Sequence, residues 1–239
     1  MTMFDAFFDD AAIFPPGNAP MTGAVRAHLA CRGTANGEFV GPFVCSAARL
    51  SELREVIGHG HLDLALVATV EEFVDVARDL AAQQNLTLVA VELTGPAGGL
   101  PETPTEVRVF VERPWDGTSD VPEGAMLKLR CGGTQPSDTP SAEQLGAAIE
   151  HCVRHDLAFK LTAGLHHAVR TDADHGFLNV LAAVGVALDG GDPLPVLEER
   201  NAAALKVSAP DEVRRLLRSI GTCNVEEPLT ELRALGLIA

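Results

Sequence analysis

Short apolar, β-like runs recur along the chain, most of them followed by a helical pattern, and this alternation narrows the fold more than any other feature. FVGPFVCSA (39–47) precedes the helical RLSELREVI (49–57), and LDLALVAT (62–69) precedes EEFVDVARDLAAQ (71–83). LTLVAVELT (86–94) and EVRVFVERP (106–114) are followed by Gly/Pro-rich turns with little room for a helix. AMLKLRCGG (125–133) leads to SAEQLGAAIEHCVRHDL (141–157), where Ser141 is placed to cap a helix. AFKLTAG (158–164), AALKVS (203–208) and TCNV (222–225) complete the set, with helices expected around 177–190, 209–220 and 226–237.

Strands that alternate with helices build parallel sheets. Eight such runs in 239 residues fit an α/β (βα)8 barrel of the TIM type, degenerate where helices are missing after the third and fourth strands. An open α/β sheet is the alternative. Residues 1–38 are then an N-terminal capping segment on a single barrel domain spanning 1–239, with adjacent acids and a Pro-Pro pair in FDAFFDDAAIFPPGNAPM (4–21).

A formal net charge of −15 would repel nucleic acid and anionic membrane surfaces. No apolar run reaches the length of roughly 20 residues that a membrane span needs, and no charged-then-apolar signal opens the chain. The five cysteines, Cys31, Cys45, Cys131, Cys152 and Cys223, are scattered without metal-binding spacing. They read as reduced thiols, and a cytoplasmic location is expected. No cofactor is expected, and a homo-oligomer is compatible with the sequence.

Of 18 basic residues only Lys128, Lys160 and Lys206 are lysines, and each lies in a short apolar run. Side chains alternate along a strand, and in a barrel the inward set near the strand's C-terminal end faces the active-site mouth. Glu92 shares its phase with Leu88 and Ala90, and Glu112 with Phe110. Lys128 and Arg130 share one phase, as do Lys160 and Thr162, and Lys206 and Ser208. Five consecutive runs therefore aim polar groups the same way.

Buried charges need partners, so these groups form either a ring of ion pairs closing the barrel or a functional site. Arginine stays charged, whereas a lysine beside other cations can lose its proton and act as a nucleophile. Lys160, with Lys128 and Arg130 on the neighbouring strand, is the expected imine-forming amine, its pKa lowered by those cations. Glu92 and Glu112 would move protons. Arg130, Thr162, Gly164, His166, His167, Asn179, Lys206 and Ser208 are the expected substrate contacts. No metal is assigned, although His166 and His167 with His175 offer a zinc alternative.

DDAAIFPP (9–16), FKLTAGLHH (159–167), HGFLN (175–179) and GTCNVEEP (221–228) together resemble a family of bacterial proteins that carries no assigned activity. A narrower resemblance links Lys160-Leu161-Thr162-Ala163-Gly164 to class I aldolases of the deoxyribose-phosphate aldolase type. Their Schiff-base lysine lies on the sixth barrel strand, in a Lys-Thr-Ser-Thr-Gly context. That resemblance implies a lyase acting on a small phosphorylated or carboxylated carbonyl compound. The alternatives are an isomerase or metal-assisted hydrolase built on the His/Glu cluster, and a non-catalytic barrel that binds an anionic metabolite.

Overall fold

The computed structural model describes residues 2–96, 99–133, 135 and 138–239. Eight parallel strands close into a barrel in sequence order, each hydrogen-bonded to the next and the last to the first. They are β1 (Phe8–Asp10), β2 (Val40–Ser46), β3 (Leu62–Ala68), β4 (Leu86–Leu93), β5 (Arg108–Glu112), β6 (Met126–Arg130), β7 (Phe159–Thr162) and β8 (Leu217–Thr222). The (βα)8 expectation holds. Its degenerate part also holds, for among the described residues only turns and bends join β4 to β5 and β5 to β6.

Among the described residues eight α-helices wrap the barrel: α1 (Met21–Arg32), α2 (Leu50–Ile57), α3 (Val70–Ala81), α4 (Ala142–Arg154), α5 (Phe177–Leu188), α6 (Leu194–Glu198), α7 (Pro210–Leu216) and α8 (Glu226–Ala234). Two begin with capping boxes. Thr69 accepts from the Glu72 backbone while Glu72 reaches back, and Ser141 and Gln144 do the same at α4. Helix α5 is buried on nearly every face, as its sequence, apolar but for Asn179, requires, and it contacts α4, α6 and α7 as well as β8. No helix among the described residues is long and apolar enough to cross a membrane.

Three strands differ from those the sequence predicts. The N-terminal segment does more than cap the barrel: Phe8–Asp10 is its first strand, paired with β2 and β8, and Met21–Arg32 is its first helix. At the other end, 203–208 is not a strand. It starts as a 3-10 turn, Ala202–Ala204, and continues without strand pairing, with Leu205 and Val207 packed against the hydrophobic core between the barrel strands and the helices. Alternating burial in a surface segment mimics a strand there. The true eighth strand, Leu217–Thr222, follows α7 with no intervening loop and is specified by pairing with β1 and β7. Lys160 is therefore on the seventh strand and Lys128 on the sixth.

The barrel interior is divided. An apolar set of Ala11, Val44, Ala65, Ala90 and Phe110 fills one part. The small side chains from β2, β3 and β4 leave room for the long charged chains that enter from β4 to β7.

Candidate active site

Five ionisable side chains form one connected network within the barrel. Lys160 Nζ donates to Asp9 Oδ2 and to Glu92 Oε1, both at 2.5 Å. Lys128 Nζ lies 2.7 Å from the other Glu92 oxygen and 2.9 Å from Glu112 Oε2. Ser219 Oγ donates to Asp9 Oδ2 at 2.6 Å. Glu92 thus bridges both lysines, and the register explains why, since Lys128 and Lys160 are direct partners across β6 and β7. Asp9, Glu92, Lys128 and Lys160 are all buried. Glu112 is the exception, with about a quarter of its side chain (24%) exposed.

Electrostatics fix the protonation of the deepest groups. Burial alone would raise the Glu92 carboxyl, but the charges of Lys128 and Lys160, both hydrogen-bonded to it, bring it down to about 2. Burial alone would lower the Lys160 ammonium, yet Asp9 and Glu92 outweigh it and raise the pKa. This corrects the expectation that Lys128 and Arg130 would depress it. The neighbouring cations are present, but Lys160 faces two carboxylates at shorter range. Its ammonium also stands 5.4 Å from the Phe110 ring centroid, a cation–π contact that favours the charged form.

A cavity of about 160 Å³ opens above this network, lined among others by Glu92, Glu112, Lys128, Arg130, Thr162 and His166. Lys160 is not part of its wall; it sits at the lower end of the network, 1% exposed. Phe14, Pro15 and Pro16, from the segment after β1, line the same cavity. A wider basin of about 590 Å³ adjoins it and shares Pro15, Pro16, Arg130, Ala163 and His166. Gly164 lines this basin. Ala163 and Gly164 both take positive φ, +60° and +68°, and bend the chain sharply after β7. A Cβ on Gly164 would lie 2.3 Å from the Cys131 carbonyl oxygen, so only glycine fits.

The remaining expected contacts lie elsewhere. Asn179 is fully occupied: its Oδ1 accepts from the Arg170 backbone, and its Nδ2 donates to the Val196 and Glu199 carbonyls. It clamps α5 to the end of α6. His167 Nδ1 is 2.8 Å from Glu231, whose other oxygen accepts from the Ala168 backbone, so it ties the β7 loop to α8. Lys206 is exposed on the helical side, and Ser208, also exposed, donates to Asp189. Both were expected at the barrel mouth through the mistaken strand at 203–208.

The three histidines do not converge. His175 is buried between the Arg170 guanidinium at Nδ1 and the Pro140 carbonyl at Nε2. Arginine can only donate and a carbonyl only accept, so the ring is neutral with its proton on Nε2, and burial, the leading influence, lowers its pKa in agreement. Among the described residues no group of three His, Cys, Asp or Glu side chains is arranged to hold a metal ion. His166 instead stands 3.9 Å from Cys223 Sγ and 3.6 Å from Glu227. Burial and then Glu227 raise the Cys223 thiol, so it is no thiolate nucleophile.

Sequence reasoning missed Asp9 and Ser219. The signal for Asp9 was the pair of adjacent acids in DDAAIFPP, which are affordable in an apolar segment only if each finds a partner. Asp9 meets Lys160 and Ser219, while Asp10 faces the opposite way and meets buried His28 Nδ1 at 3.0 Å. Asp9 Oδ1 has no hydrogen-bond partner among the described residues, and a Cβ on Gly41 of β2 would come within 2.3 Å of it. Gly41→Ala is therefore expected to push the carboxylate out of register with Lys160 and to destabilise the fold by about 1–3 kcal/mol. Urea denaturation measures this, and a neutral change would show that the Asp9 contact is loose.

Compared with family models, curated proteins and solved structures, the chain has no significant match in any of the three.

Proposed function

We propose that the protein is a lyase of the class I aldolase kind, acting on a small anionic carbonyl compound through a lysine imine, and that the amine is Lys128. The observation that carries this reading is the position of Lys128 in the cavity wall between two carboxylates, with Lys160 held behind it. The resemblance to class I aldolases attaches to Lys160, but that lysine is on β7, out of the cavity, and held protonated by Asp9 and Glu92. Lys128 occupies the sixth strand.

Imine formation needs a neutral amine. Glu92 cannot receive the Lys128 proton, because two ammonium groups hold it ionised. Glu112 can. It lies 2.9 Å away and reaches the cavity, so a proton passed to it can be returned to the carbinolamine oxygen when water leaves. Arg130, exposed and without an ion pair among the described residues, is placed to hold the substrate's phosphate or carboxylate at the mouth. Asp9, Lys160 and Ser219 position Glu92 from below.

One observation favours a second reading. Lys128 Nζ lies within 2.9 Å of two carboxylates, and an ammonium so placed would suit an isomerase, with Glu112 abstracting a proton next to a carbonyl and Lys128 stabilising the enolate. Glu112→Gln separates the two. With imine chemistry, hydride trapping of a carbonyl substrate slows by about 10²–10⁴-fold but still ends on the lysine. With enolate chemistry, solvent-deuterium exchange into the substrate is lost and no adduct forms in either protein.

A further inference from the structure

At the opposite end of the barrel, where the strands begin, four arginines line a second cavity of about 390 Å³: Arg108 at the start of β5, Arg214 and Arg215 on α7, and Arg218 on β8. Two are committed to structure. Arg214 donates to the carbonyls of Leu217, Arg218 and Asp5 and lies over the Phe7 ring, 4.5 Å from its centroid. Arg215 is paired with Asp156 and Glu212.

Arg108 and Arg218 are different. Both are half-buried, and among the described residues neither has an acidic partner. Asp211 lines the same cavity without pairing to either. Burial and then the charge of Arg108 lower the pKa of Arg218, so the two guanidiniums feel each other's repulsion. In a chain with 33 acidic residues and net charge −15, two adjacent uncompensated arginines in a concave site are an expensive arrangement.

We propose that this cavity is a binding site for a phosphate-bearing small molecule, held by Arg108 and Arg218 and separate from the Lys128 cavity. A phosphate dianion can accept hydrogen bonds from two guanidiniums at once and cancel both charges, whereas a monocarboxylate leaves one uncancelled. The acidity of the rest of the surface disfavours a large polyanion such as nucleic acid. The ligand is small and enters where the charge is local.

The test is calorimetric titration of the full chain with inorganic phosphate and, separately, with glycerol 3-phosphate, at constant ionic strength set with chloride. The expected result is saturable one-to-one binding of at least one of them, weakened roughly tenfold or more by Arg218→Gln and independently by Arg108→Gln. Lys128→Arg, which keeps a cation between Glu92 and Glu112, should retain it, because that residue lies at the other end of the barrel. Tighter binding of free phosphate would identify the inorganic ion as the ligand, and tighter binding of the ester an esterified metabolite; either supports the site. Absence of saturable binding by both probes, or binding unchanged in both arginine variants or lost in Lys128→Arg, would overturn it.

Discussion

Lys160→Met is expected to lower the free energy of unfolding by about 3–5 kcal/mol, the usual penalty for removing one partner of a buried ion pair. Methionine fills most of the volume of the lysine stem, so the loss is electrostatic rather than a cavity effect. Glu92 would retain Lys128, but Asp9 would keep only the Ser219 hydroxyl, with its other oxygen already unpartnered. A buried carboxylate without a cation is costly.

The pH dependence of stability separates that cause from poor packing. In the native protein Glu92 lies near 2 against an ordinary value of 4.5. Its contribution is fully present above 4.5 and is lost as pH falls from there toward 2. Lys160 is raised above 10.5, so its contribution is present below 10.5 and lost as pH rises through the folded value. Removing Lys160 deletes the alkaline limb. It also makes protonation of an interior carboxylate favourable, so the deficit relative to the native protein should shrink as pH drops below 4.5. Chemical denaturation at a series of pH values measures this, and a deficit independent of pH would assign the loss to packing.

The second large effect is on chemistry. Lys128→Arg keeps a cation between Glu92 and Glu112 and should leave the fold intact, since arginine suits paired carboxylates. Its guanidinium cannot form an imine under physiological conditions, so carbonyl trapping and any turnover that depends on it should fall by about 10³-fold or more, to background. The comparison with Lys160 is the informative part. If Lys160 only positions Glu92 and supplies charge, then a Lys160 variant that still folds should form adducts, though more slowly.

Much of the fold was legible because β2 to β7 carry the apolar, β-branched composition that strands favour, and helices with capping boxes punctuate them. The in-phase placement of Glu92, Glu112, Lys128 and Lys160 was legible for a related reason: a strand's period of two survives any error in its exact ends. β1 was hidden because Phe8-Asp9-Asp10 is three residues long and two-thirds aspartate, a composition strands disfavour unless tertiary ion pairs support it. β8 was hidden because LRSIGT continues the helical pattern of α7, and only its neighbours make it extended. Missing β1, adding a strand at 203–208 and placing the last strand late, at 222–225 instead of Leu217–Thr222, kept the count at eight while shifting the numbers of β2 to β7 by one. That shift placed the expected nucleophile on the wrong lysine, and depth in the barrel, which decides between the two, is not encoded in strand phase.

The most direct test of the account is to incubate the protein with small aldehydes, ketones and 2-oxo acids bearing phosphate or carboxylate, in the presence of a hydride reductant, and to map the reduced adduct by mass spectrometry. One adduct per chain is expected, on Lys128, absent from Lys128→Arg. An adduct on Lys160, or no adduct from any carbonyl compound, would contradict it.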